Sequence, residues 1–430
     1  MIYIQKIWTE TDNDHSYLKA SIQLDKGDEQ KWLDSVKNFQ PQLYNRRLPL
    51  PIETDGSFTL WYKVPCEYHY SLTTERADAF VVACIYFAMV AGIDIKSDIA
   101  VTSCLLFQLN EQLIPLLCNK RTGFKRIAVI ANSADELHKE KKFVGTGISC
   151  GVDSFSTIFL GLKDSLPKDQ KVTHLAVFNT GSLNFYGYEN IKSLELWREE
   201  TVRELDYHIV EGRTVASELG LKYIFVDSNI PDLYQGCFLF SHVYRNMSCV
   251  LATQKMWTSY HYASAGEGVL FEADLRVGAG SYDIYILPAI STRDLKFYES
   301  GFDLYRMEKL NLISKSPVVQ RHLNVCSYGH TNCGHCTKCT RTLLNLDILG
   351  CLDKFNVAFP EMEYYRKNKY KLLTTHVREA NKKDIFGYDM KMAAKEKGFK
   401  YGFKSDLYHM TYPARIVKIS IIRFLKKIFK

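Results

Sequence analysis

Four cysteines lie within one short segment, VCSYGHTNCGHCTKCTRT: Cys326, Cys333, Cys336 and Cys339. Their Cys-x6-Cys-x2-Cys-x2-Cys spacing, with Gly334 permitting a tight turn, matches a tetrahedral Zn2+ site built on thiolates. An iron–sulfur cluster is the competing reading of the same ligands. His330 and His335 stand by as substitute ligands, although four sulfurs already close the shell. A closed shell leaves no position for substrate, so the centre is expected to be structural.

A second set of residues suits an anion. Ser149-Cys150-Gly151-Val152-Asp153-Ser154 stands between a short β-rich run, 143–148, and a helical run, 155–162. A helix N-terminus carries unpaired N–H groups and about half a positive charge. Gly151 lets the backbone approach a phosphate closely, Ser149 and Ser154 add hydroxyls, and Asp153 suits Mg2+ or orients the loop. The same Ser/Asp/Ser types are also favoured helix caps, and six residues alone do not choose between the two roles. A Walker A loop is absent, and Gly145-x-Gly147 lacks the third glycine of a dinucleotide fingerprint.

Elements must position these groups. Past residue 142 the pattern alternates: strands at 143–148, 173–179, 222–227 and 259–263, with helices at 155–162, 191–219 and 240–257. Such alternation argues for a mostly parallel sheet covered on both faces, with ligands beyond the strands' C-terminal ends. Before residue 140, strands are expected at 2–8, 17–24 and 58–64, a buried helix at 78–92 capped by Thr73 or Thr74, and a β-rich run at 125–131; 134–142 reads as a linker. Tyr62, Tyr68 and His69 either line a site or simply pack. Arg245 suits a phosphate, a substrate carboxylate or a salt bridge. Glu267, in Ser264-Ala265-Gly266-Glu267-Gly268, and Asp283 suit Mg2+, a base edge or a polar turn. Asn179 ends the second strand of the alternating region.

At this point the residues carry a resemblance. Ser149–Ser154 resembles the Ser-Gly-Gly-x-Asp-Ser loop of the ATP pyrophosphatase (PP-loop) superfamily, with Cys150 where the first glycine of the pair usually stands. The loop followed by the cysteine set and Arg341 is similar to 7-cyano-7-deazaguanine synthase, with Tyr244-Arg245-Asn246 in place of that family's Gly-Arg-Asn. Tyr282-Asp283-Ile284-Tyr285 echoes its Tyr-Pro-Asp-Cys-Arg. The likeness covers about residues 143–345. It implies a doubly wound parallel sheet of PP-loop/HUP-like type, ATP and Mg2+ held by Ser149, Cys150, Gly151, Val152, Asp153 and Ser154, and catalytic roles for Asp153, Ser154 and Arg245. The implied reaction adenylates a deazapurine-like carboxylate, releasing pyrophosphate, before ammonia or an amine displaces AMP. Relatives that thiolate tRNA offer an alternative, with Cys150, Cys237 and Cys249 as candidate thiols. A non-catalytic nucleotide-binding partner protein is a third.

Composition bounds the rest. The chain has 430 residues, 46% hydrophobic and 24% charged, which disfavours disorder and low complexity. Its net charge of +7 is uneven: residues 361–430 hold 18 Lys and Arg against 7 Asp and Glu, or +11, leaving −4 for the body. The tail 413–430 interleaves cations with Ile, Phe and Leu, which fits a membrane surface, RNA, or docking on its own protein. Twelve cysteines without an export signal favour thiols, metal and a cytoplasmic setting. The expected organisation is an N-terminal α/β or α+β domain over 1–140, a PP-loop-like domain with the four-cysteine zinc knuckle over 141–350, and a basic extension over 351–430, with homodimerisation left open.

Overall fold

A computed structural model describes residues 1–39, 52–118, 123–137, 143–182, 194–234, 238–264, 279–326 and 329–413. Cys237, Glu267 with its loop from 265, most of the 134–142 linker and the tail from 414 lie outside the described residues.

Alternation of side chains makes the first strands. In β2 (His15–Leu24), Ser16, Leu18, Ala20, Ile22 and Leu24 are buried while their neighbours are not, the period of a strand with one covered face. It pairs antiparallel with β1 (Ile2–Thr11) on one side and β3 (Ser57–Pro65) on the other. Trp32, on α1 (Asp28–Phe39), packs 4.9 Å from Phe87 of α2 (Asp78–Ala91). Helix α2 is buried on every side, as its uninterrupted apolar run requires. It stops at Gly92 in the left-handed conformation (φ 73°). Its start differs from expectation: the cap is Ala77, without a side-chain bond, and neither Thr73 nor Thr74 serves. Instead the buried Asp78 carboxylate accepts bonds from Thr102 N–H (2.9 Å), Thr102 Oγ1 (2.6 Å) and Gln254 Nε2 (3.2 Å). β4 (Ile95–Thr102) and β5 (Val129–Ala134) complete this part of the sheet.

The alternating region follows as β6 (Phe143–Gly147), α3 (Val152–Gly161), β7 (His174–Phe178), α4 (Leu194–Glu218), β8 (Lys222–Ser228), α5 (Phe238–Ala252), β9 (Trp257–Ala263), α6 (Asp283–Ala289) and β10 (Lys296–Ser300). Helix α3 begins three residues earlier than the sequence suggested, so Asp153 and Ser154 sit in its first turn. Among the described residues, ten strands form one sheet in the order β10-β9-β6-β7-β8-β3-β2-β1-β4-β5. Six of its nine neighbouring pairs are parallel, the exceptions being β8–β3, β3–β2 and β2–β1. Within it, β6 lies between β7 and β9, so the chain runs outward one way through β7 and β8, then returns to the other side. The reversal creates a crevice at the C-terminal ends of β6 and β9.

The N-terminal strands were expected in a domain of their own. They share the sheet instead, through pairing of Tyr62 with Ser228 and Lys63 with Asp227. Contacts divide the chain into a first unit of Met1–Ser149 with Asp153–Asp303, and a second of Cys150–Val152 with the chain from Leu304; the expected limits at 140 and 350 do not coincide with this division. Among the described residues the second unit is helical, with α7 (Arg306–Ile313), α8 (Thr337–Ile348), α9 (Glu363–Leu373) and α10 (Ile385–Glu396). No described helix is long and apolar enough to cross a membrane.

Candidate active site and metal centre

A cavity of about 400 Å³ occupies the crevice of the first unit. Gly147, Ser149 and Ser154 contribute to its lining, as do Phe178 from the end of β7, Tyr260 and Tyr262 from β9, and His242 and Asn246 from α5. Gly145 of β6 makes room for the aromatic wall. A Cβ on Gly145 would lie 2.7 Å from the Tyr260 ring and 2.9 Å from Trp257, and one on Gly147 would lie 3.4 Å from the Tyr260 hydroxyl. Gly145 therefore serves packing. Tyr260 also stacks with Phe178 at 5.8 Å, giving a flat apolar wall suited to a planar ring.

The expected loop residues are placed together. Ser154 Oγ accepts from Ser149 N–H at 3.3 Å and lies 3.2 Å from Ser149 Oγ. Asp153 is half-buried at the N-terminus of the ten-residue α3. Its loop therefore joins hydroxyls and a helix N-terminus, which can hold an anion. Cys150 is the one non-glycine with positive φ (58°) among the described residues. Only 2% of it is exposed, and in the second unit its carbonyl accepts from Asn324 N–H at 2.8 Å.

The other candidates have partners of their own. Arg245 is 1% exposed; its Nε donates to Ser241 Oγ (2.8 Å), its Nη1 to the Thr180 carbonyl (3.0 Å), and its guanidinium lies 4.1 Å from the Tyr234 ring centroid. It grips the turn after β7, where Gly181 (φ 85°) leaves space that a Cβ would close to 2.9 Å from Nη1. Asn179 bonds Asp227 Oδ1 through Nδ2 (2.8 Å), and its N–H and carbonyl go to Val226 and Ser228. Tyr62 and Tyr68 pack, their hydroxyls donating to the carbonyls of Ala79 (3.3 Å) and Tyr223 (2.8 Å). Cys249 is fully buried, which pushes its thiol well above the ordinary range.

The sequence reading missed His242 and Tyr262. His242 Nδ1 lies 2.5 Å from Tyr262 Oη and 4.0 Å from the buried Asp283 Oδ2. Burial, with the nearby Arg245 charge, lowers the imidazole to about 4, and desolvation raises Tyr262 far above the phenol range. The available signal was two polar residues, His242 and Asn246, one helical turn apart on an apolar helix.

In the second unit, the sulfurs of Cys326, Cys333, Cys336 and Cys339 all lie within 4.8 Å of one another. Tetrahedral Zn–S bonds of about 2.3 Å would place them about 3.8 Å apart, so the four donors fit a metal ion such as zinc. Local bonds shape the set: Cys336 N–H donates to Cys333 Sγ and Cys339 N–H to Cys336 Sγ, each at 3.4 Å. Cys336 is the N-cap of α8, where the helix dipole favours a thiolate. Gly334 has φ 68°, and a Cβ there would lie 1.6 Å from the Glu361 carbonyl oxygen. Asn332, 1% exposed, holds the segment by donating to the carbonyls of Leu323 (2.7 Å) and Ala358 (2.8 Å) while accepting from Val325 N–H (2.8 Å). Burial raises the Cys339 thiol well above the ordinary value; a bound cation reverses that preference. Neither His330 nor His335 belongs to the four-donor set.

Comparison with family models, with curated proteins and with solved structures found no match for this chain.

Proposed function

We propose that the protein is an ATP-dependent ligase of the PP-loop type, forming AMP and pyrophosphate as it activates a 7-deazaguanine-like carboxylate. One observation carries this reading: the Ser149–Ser154 segment links β6 to the N-terminus of α3 at the strand-order reversal, with Ser149 and Ser154 lining an aromatic-walled cavity. Loop N–H groups and the two hydroxyls suit a pyrophosphate leaving group. Asp153 would hold Mg2+, which neutralises phosphate charge during transfer. The four cysteines would hold Zn2+ as a structural ion.

Both steps balance. A carboxylate oxygen bonds to the α-phosphorus of ATP, the bond from that phosphorus to the bridging oxygen breaks, and pyrophosphate leaves. Ammonia or an amine then attacks the acyl carbon, loses a proton and expels AMP. The chain's part is to hold the two reactants in line and to stabilise developing charge. Against thiolation, Cys150 and Cys249 are both buried and a nucleophilic thiol needs access; the third candidate, Cys237, lies outside the described residues.

The test is release of AMP and pyrophosphate from ATP and Mg2+, with and without 7-carboxy-7-deazaguanine, beside Asp153→Ala. The expected result is substrate-stimulated AMP formation that falls about 100-fold or more in the variant. Stimulation by tRNA alone would favour the thiolation type. ATP binding without turnover would overturn the ligase reading in favour of a non-catalytic nucleotide binder.

A further inference from the structure

We propose that His242, as a neutral imidazole, donates a hydrogen bond from Nε2 to the substrate's carboxyl oxygen in this cavity, its tautomer set by Tyr262, Asn246 and Thr180. The inference rests on the ligase reading and names the group that recognises the activated carboxyl.

Hydrogen-bond direction gives the argument. Thr180 Oγ1 donates to Asn246 Oδ1 at 2.7 Å, which turns the amide NH2 of Asn246 toward Tyr262 Oη at 3.4 Å. A phenol oxygen that accepts there has its own proton to give. His242 Nδ1, 2.5 Å away, receives it. An imidazole that accepts at Nδ1 and is neutral carries its proton on Nε2. Nε2 makes no hydrogen bond among the described residues, while His242 lines the cavity. Among the described residues, Asp283 lies 4.0 Å from Nδ1, the Arg245 guanidinium lies 5.5 Å from the Phe238 ring that neighbours His242, and His208 lines the same cavity. Burial keeps the ring neutral down to about pH 4, so the donor state persists across the physiological range.

A neutral donor suits both half-reactions. During adenylation it holds the carboxyl oxygen that does not attack phosphorus. During amine attack the same oxygen gains negative charge, and a fixed donor aimed at it strengthens as that charge develops. The relay residues act through His242 and are positioning residues.

The experiment compares the full-length protein with His242→Phe, His242→Gln and Tyr262→Phe. It measures kcat for AMP formation, KM for 7-carboxy-7-deazaguanine, and the Kd of ATP by calorimetry. His242→Phe should lower kcat about 100-fold, the usual cost of one lost oxyanion donor, with the ATP Kd within about twofold of wild type. His242→Gln, which retains an N–H, should recover about tenfold of that loss, and Tyr262→Phe should lower kcat by about tenfold at unchanged ATP affinity. The retained ATP Kd shows that the variants fold. Turnover by His242→Phe close to that of wild type would overturn the inference. So would a loss confined to ATP affinity, which would place His242 against the nucleotide. A silent wild-type enzyme that binds ATP would instead sink the ligase reading, before any variant is compared.

Discussion

The cysteine centre and the cavity encode their chemistry in opposite ways. All four donors of the centre come from one fourteen-residue stretch, and their N–H···S bonds join residues three apart. The cavity draws on β6, the loop into α3, the ends of β7 and β9, and α4 and α5. Its polar relay joins residues separated by 16 to 66 positions. A site built from neighbours along the chain needs only local turns. One built across a sheet exists only once the strand order is right.

Removing the metal tests that contrast most strongly. Purified protein should contain one zinc ion per chain by elemental analysis, and Cys339→Ser should abolish it. Thiolate-bound zinc contributes on the order of 10 kcal/mol to small sites, so chelation should speed amide hydrogen exchange through most of residues 304–413. Strands β6 to β9 should keep their protection. Gly334→Ala should act like chelation, because its Cβ meets the Glu361 carbonyl and its φ is positive. Equal protection of the second unit with and without metal would show that the helices fold unaided.

A smaller effect separates the two units by pH. Burial, aided by the nearby Lys222 charge, lowers His174 to about 4 from an unfolded value of 6.5. The unfolded chain then binds more protons between those limits, so this contribution is full above pH 6.5 and is lost as pH falls toward 4. Asp389 is raised to about 6 from 3.8, chiefly by burial, while the Met307 N–H that donates to it at 2.9 Å pulls the other way. Its contribution is full below pH 3.8 and is lost as pH rises through 6. His174→Gln should therefore flatten the acid loss of stability in β6 and β7, and Asp389→Asn should remove a loss in α10 on going from about pH 4 to about pH 6. Shifts of a few degrees in melting temperature are the expected scale. The same sign of change in both variants would contradict these assignments.

The same contrast governs what could be read from residues alone. Strands β1 to β3 and β6 to β9 were legible because alternation and apolar runs are local, and Gly92 marked the end of α2 correctly. β4 and β10 escaped notice: Ile95–Thr102 and Lys296–Ser300 mix polar and apolar residues, and it is pairing with β1, β5 and β9 that makes them strands. The join between the N-terminal strands and the rest of the sheet was hidden for a related reason. Nothing local in Tyr62 or Lys63 announces a partner at Ser228 or Asp227. Arg245 showed its charge to a reader of sequence, but not that its fork would close on the Thr180 carbonyl. His242 was invisible until β9 brought Tyr262 beside it.

Cys150 carries the smallest effect and the sharpest question. Its residue type departs from the resembled loop, yet its backbone takes the left-handed conformation that glycine adopts most easily. Holding an L-residue there costs about 1–2 kcal/mol, which Cys150→Gly would relieve. The same change deletes a buried thiol and loosens the unfolded chain, costs of about the same size. The two should nearly cancel, leaving stability within about 1 kcal/mol of wild type. Cys150→Val should instead cost about 2 kcal/mol, because a β-branched side chain is a poor occupant of positive φ. Denaturant midpoints of both variants check this. A glycine variant that loses several kcal/mol would mean that the buried thiol, and not the turn, holds the loop in place.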